Sequence, residues 1–154
     1  MLNKLKKLCL SLLVVGTLSS PSLAGSMPSF QTVETNQPFA AYVENLKKAI
    51  SANKMGLVSH ACAHCGAKKI GVEIAGNQVL MVYHPRFAVR MLKASIPAGI
   101  EAPLRLYVTE EKDGTAKLTY RLASDVFKPY GSAELDKMAL ELDDILAKIA
   151  KDSL

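Results

Sequence analysis

Leu104 to Arg121 reads LRLYVTEEKDGTAKLTYR. Leu104, Leu106 and Val108 recur at every second position, the period of a strand that turns one apolar face to a core. Lys112-Asp113-Gly114-Thr115 carries an Asp-Gly turn signal, and Ala116 to Arg121 returns as the second arm of a hairpin. A hairpin pairs its arms antiparallel, so the sheet built around it is antiparallel or mixed.

Outward from the hairpin, Val79-Leu80-Met81-Val82-Tyr83 is apolar on both faces and reads as a central strand. His84-Pro85 ends it, because proline lacks a donor and restrains the residue before it. A helix follows at once, with Phe87, Val89, Met91 and Leu92 as its apolar contacts and Arg86, Arg90 and Lys93 on its wet side. Pro97, Gly99 and Pro103 then break the chain before the hairpin.

Nearer the amino end, Asn36 or Gln37 opens a helix with Pro38 in its first turn. Phe39, Val43, Leu46 and Ile50 carry it through Asn53, and Gly56 stops it. Leu57-Val58 starts a short strand, and Ala67 to Ile70 reads as a helical turn closed by Gly71. Gly76-Asn77 is a turn. Beyond the hairpin, Ser124 to Tyr130 is a short helix or irregular segment. From Ala133 onward Leu135, Met138, Leu142, Ile145 or Leu146, and Ile149 form the stripe of an amphipathic helix. That stripe serves core packing, with a homodimer seam as its alternative use. The economical solution is α+β: a single compact domain with helices covering an antiparallel or mixed sheet.

The first 24 residues read differently. Lys4, Lys6 and Lys7 precede an apolar run from Leu8 to Leu18, and Ser22-Leu23-Ala24 supplies small residues for a peptidase. This is the pattern of a secretory signal peptide, which predicts a periplasmic or otherwise secreted protein. The run is too short for the roughly 20 residues that a stable membrane anchor requires. Residues 25–36 read as a flexible leader with a short strand near Val33, and residues 37–154 as the domain. The chain has 154 residues and a net charge of +5. Taking Lys4, Lys6 and Lys7 from its 19 basic residues leaves 16 against 14 acidic ones, so the basicity gives no support for a nucleic acid partner.

The order of these elements resembles the family known as domain of unknown function 302. The likeness rests on Gly56-Leu57-Val58 after a helix and on a His-containing stretch that leads into Ala67-Lys68-Lys69-Ile70-Gly71-Val72-Glu73-Ile74. It continues through a strand ending in His84-Pro85, through Gly99-Ile100-Glu101-Ala102-Pro103-Leu104-Arg105-Leu106-Tyr107-Val108, and through Asp113-Gly114 to the strand carrying Tyr120. The resemblance implies a curved sheet with helices packed mainly on one face, often in a homodimer, and implies little about activity. Two departures stand out. His84 occupies a position where relatives carry asparagine before the proline, and extra His and Cys residues surround the family's histidine, which either His60 or His64 can match.

Those extra residues lie in SHACAHCG, Ser59 to Gly66, which holds two of the three histidines and two of the three cysteines. After export only Cys62 and Cys65 remain, in a compartment where a disulfide persists. Wound as a helix, His60 and His64 lie about 40° apart and the cysteines about 60° apart; extended, His60, Cys62 and His64 share a face. Thiolates with imidazoles suit copper or zinc, and His84 is the candidate fourth ligand if the ends of two strands meet at one sheet edge. This makes Cys62, Cys65, His60, His64 and His84 the leading candidate site, in an exported binding protein for a soft metal or small ligand.

Two alternatives use the same residues. Cys62-Ala63-His64-Cys65 has the spacing of a thiol-disulfide redox pair, and the same pair can be a structural disulfide in a homodimeric interaction module. Haem is a weaker cofactor reading, since histidine does not follow the second cysteine. Arg86, Arg105 and Tyr83 are candidate small-molecule contacts. No phosphate cradle, metalloprotease motif or nucleophile elbow is present, and no reaction is defined.

Overall fold

The computed structural model describes residues 30–154. The signal-peptide reading of residues 1–24 falls outside them. Five strands form one sheet: β1 (Phe30–Pro38), β2 (Gly56–Cys62), β3 (Asn77–Tyr83), β4 (Leu104–Glu110) and β5 (Thr115–Arg121). Their order is β1-β5-β4-β3-β2 and every neighbouring pair is antiparallel. The hairpin is β4-β5, with Gly114 at φ 82° supplying the positive angle its turn needs. Residues 30–36, read as leader with a short strand near Val33, belong to β1, which runs on to Pro38.

The helices are α1 (Phe39–Ala52), α2 (Ala63–Lys69), α3 (Pro85–Ala94), α4 (Ala123–Phe127) and α5 (Ala133–Asp152). The long ones cover one face of the sheet. Leu80 and Val82 of β3, Leu106 and Val108 of β4, and Ala116, Leu118 and Tyr120 of β5 point into that layer. There they meet Tyr42, Leu46 and Ile50 of α1 and Leu135, Met138, Leu142, Leu146 and Ile149 of α5. The fold is thus the expected single α+β domain, with the sheet antiparallel throughout and the helices largely on one side.

Burial of this apolar layer is the main favourable term in folding, and two polar side chains at its margins are paired. Tyr42 lies in the core with its hydroxyl 3.0 Å from Ser153 Oγ, and burial pushes that phenol above its ordinary titration range. The Asp143 carboxylate of α5 accepts from the N–H groups of Ala123 and Ser124 and so caps α4.

On α3 the sequence overstated the apolar side. Phe87 and Met91 are buried, but Val89 and Leu92 are exposed at 53% and 46%. Likewise α2 starts at Ala63, earlier than the expected Ala67, and β2 runs the full seven residues before it. Between Leu57 and Ser59 the β2-β3 register shifts, leaving Val58 as an extra residue in a bulge.

Candidate functional site

Cys62 ends β2 and is also the N-cap of α2, and Cys65 lies in the first turn of that helix. This change from strand to helix folds the chain back, bringing the two Cα atoms to 5.3 Å, and the cysteines form a disulfide. The Cys65 N–H points at Cys62 Sγ across 3.3 Å. Cys65 is exposed and Cys62 half-buried.

His64 sits over this bond. Its Nε2 lies 3.5 Å from Cys62 Sγ and 3.7 Å from Cys65 Sγ. Three contacts hold the ring there. The Asn77 N–H donates to Nδ1 across 3.0 Å, the Asn77 carbonyl oxygen is 3.2 Å from the same nitrogen, and the Phe39 ring meets the imidazole edge-on at 5.4 Å. Nδ1 thus faces both a donor and an acceptor of Asn77, and Cys62 Sγ lies 3.5 Å from Nδ1 as well as from Nε2, while only Nε2 also reaches Cys65 Sγ.

Gly76 makes the Asn77 contact geometrically possible. A Cβ at Gly76 would lie 2.6 Å from the Phe39 ring and 2.9 Å from Glu110 Oε2. Glu110 secures the same corner, accepting from the Gly76 N–H at 2.6 Å while its own N–H donates to the Gly76 carbonyl at 2.8 Å. The loop therefore lies directly on the aromatic ring, and its next residue reaches His64.

These positions correct the expected copper or zinc site. The ligand atoms of Cys62, His64 and Cys65 do lie within 4.8 Å of one another. Their sulfurs, however, are bonded to each other, and metal ligation requires thiolates. The pair is a disulfide that closes the β2-α2 corner. His60, on exposed β2, does not join the group. His84 stands at the far end of the sheet, because β2 and β3 run antiparallel: Cys62 pairs with Gln78, while Tyr83, just before His84, pairs with Gly56. Six residues of strand separate the two ends, roughly 20 Å. His84 instead caps α3, its Nδ1 accepting from the Arg86 N–H at 3.0 Å. Asparagine would offer the same kind of acceptor at this N-cap position.

The candidate small-molecule contacts also separate. Arg86 lies with its guanidinium 4.8 Å over the Phe87 ring on α3. Tyr83 ends β3, half-buried, and Arg105 projects from β4 on the face without the long helices. Gly76, Asn77 and Phe39 were not recognised as site residues in the sequence. Gly76-Asn77 was legible as a turn, but only the fold shows that the turn lands on a core aromatic ring.

An antiparallel five-stranded sheet with helices largely on one face defines the class of domain. The model of the family called Domain of unknown function DUF302 matches residues 31–152, and the chain belongs to that family. A solved relative is described as "uncharacterized conserved protein DUF302 from Bacillus stearothermophilus". It is 19% identical, with 81% of this chain and 98% of that chain covered at a TM-score of 0.73, a likeness of fold. Comparison with curated proteins finds no match.

Proposed function

We propose that the protein is exported and that the Cys62–Cys65 bond is exchangeable, so that the chain acts as a thiol-disulfide redox protein. One observation carries this reading: the His64 imidazole lies against both sulfurs, its Nε2 3.5 Å from Cys62 Sγ and 3.7 Å from Cys65 Sγ. A disulfide sulfur gains little from a donor, whereas a departing thiolate gains a charge-assisted hydrogen bond. The Cys65 N–H at 3.3 Å supplies Cys62 with a second donor. The amino-terminal basic and apolar pattern supports export, and exported proteins meet conditions in which such a bond forms and persists.

The exchange balances as a two-electron transfer. A substrate thiolate attacks exposed Cys65 Sγ, the Cys62–Cys65 bond breaks, and Cys62 leaves as the thiolate received by the His64 imidazole and the Cys65 N–H. The second thiolate of the substrate dithiol then attacks its own sulfur in the mixed disulfide and releases Cys65. The dithiol is oxidised, the protein is reduced, and the two substrate protons pass to solvent or to the cysteines.

A second reading, a homodimeric interaction module in which the bond is only a staple, is favoured by surface beside the same corner. Ile70, Val72 and Ile74 are exposed at 79%, 48% and 49% in the segment following α2. One experiment separates the two. In the full chain, the rate of reduction by a small dithiol, read by thiol labelling and mass, falls about tenfold in His64→Ala if imidazole receives the leaving thiolate. An unchanged rate, together with a dimer mass that Ile70→Asp abolishes, would replace the redox reading by the interaction one.

A further inference from the structure

The sheet face away from the long helices carries side chains in cross-strand rows. Val79, Tyr107 and Thr119 are partners across β3, β4 and β5. The adjacent row begins with Met81 opposite Arg105 and ends with Arg121 opposite Phe30. Continuing the Leu106–Tyr120 pairing by one residue sets Arg105 opposite Arg121. Two cations directly opposite on neighbouring strands are destabilising unless something negative lies between them.

No described carboxylate lies in ion-pair contact with either arginine. Arg121 Nε is shielded from solvent and has no hydrogen-bond partner, an expensive condition for a charged group. Both arginines line a cavity of about 260 Å³, which Phe30, Val79 and Leu104 make apolar on its other sides. Tyr107 and Thr119 add hydroxyls at its wall. The Tyr107 oxygen already accepts from Asn77 Nδ2, which turns its own O–H free to donate.

One acid shares the space. Glu101 lines the cavity, and its Oε1 accepts from the Tyr130 hydroxyl at 3.0 Å. Two guanidinium groups against one carboxylate still leave the cavity positive.

We propose that this cavity binds a small organic acid, its carboxylate held between Arg105 and Arg121 and its apolar body lying against Phe30 and Val79. Guanidinium groups bind carboxylates through paired N–H donors in a fixed geometry, so the two side chains supply orientation as well as charge. The volume is at the small end of ligand pockets and limits the body to about the size of one ring. This site is centred on β4 and β5, and Asn77, which touches both Tyr107 and His64, is its one link to the Cys62–Cys65 corner.

The test is calorimetric titration of the full chain with benzoate, alongside benzyl alcohol and inorganic phosphate. Benzoate is expected to bind saturably, with affinity falling at least tenfold in Arg105→Gln and in Arg121→Gln, partly recovered in Arg121→Lys, and unchanged in Arg86→Gln. Glu101→Gln should tighten binding by removing the competing charge. Arg105 is exposed, so its variant reports binding even if Arg121→Gln folds poorly. The proposal is overturned if benzoate gives no saturable heat, if Arg105→Gln binds it as well as the parent, or if benzyl alcohol binds equally. Phosphate binding as tightly as benzoate would overturn the apolar half of the ligand assignment. Reduction of the disulfide should proceed at the parental rate in all these variants, which keeps this outcome separate from the redox reading.

Discussion

The two edges of the sheet are built differently. β1, which like β2 has a single neighbour, is tied down over residues 34–37: Thr35 is buried and its hydroxyl donates to the Ala116 carbonyl at 2.7 Å, and Glu34 pairs with Lys117. Gln37 reaches the carbonyl oxygens of Ser153 and Leu154 from its amide nitrogen. β2 has one neighbour, and every residue from Gly56 to Ala61 is exposed. The difference places cohesion at one side of the molecule and an exposed disulfide corner at the other.

That contrast can be broken by substitution. The largest effect belongs to the interior next to β1, where Leu118→Ala in the fully buried layer is expected to cost about 2–5 kcal/mol in denaturant unfolding. Val58→Ala on β2 should stay within about 0.5 kcal/mol. Equal losses would show that exposed β2 is held as firmly as the layer beside β1. Gly76→Ala comes next, at about 1–3 kcal/mol, because its Cβ meets the Phe39 ring and that ring cannot yield without moving other core side chains. The same variant should alter the His64 imidazole signals in NMR spectra; unchanged signals would mean that the loop does not position the ring.

Opening the staple should matter less. The bond closes a loop of only four residues, so Cys62→Ser with Cys65→Ser should cost less than about 2 kcal/mol by chain entropy. A larger loss would mean that β2 depends on the bond for its structure.

The smallest effect is electrostatic. Arg90 makes two hydrogen bonds to Glu141, both 2.7 Å, and holds that carboxyl below the ordinary glutamate range. A depressed carboxyl stabilises the fold above its unfolded titration range, and that contribution disappears as pH falls through the folded value. Acid melting curves should therefore draw together for the parent and Glu141→Gln. The gap itself is small because the pair is exposed.

Much of the interior was legible because it follows simple periods. The hairpin, the strand through Leu80 and Val82, and the stripe of α5 all bury the residues that alternation or helical spacing selects. The site was less legible for a topological reason. Cys62 and His84 each follow a strand, which suggested proximity, but antiparallel pairing puts the ends of consecutive strands at opposite sides of the sheet. His64 was visible as a neighbour of the cysteines. Its anchoring by Asn77 depends on the Gly76 turn landing on Phe39, a contact between segments far apart in sequence. Val89 and Leu92 misled in the opposite way: the helical spacing allowed two apolar faces on α3, and packing covers one.

The bulge at Val58 bears on how the molecule behaves at high concentration. An unguarded edge of seven residues would offer a template for a second chain and, repeated, for fibrous aggregates. With one extra residue breaking the register between Leu57 and Ser59, an incoming strand finds an uninterrupted ladder only from Ser59 to Cys62. The exposed corner can thus stay open to small reactants while resisting runaway sheet growth.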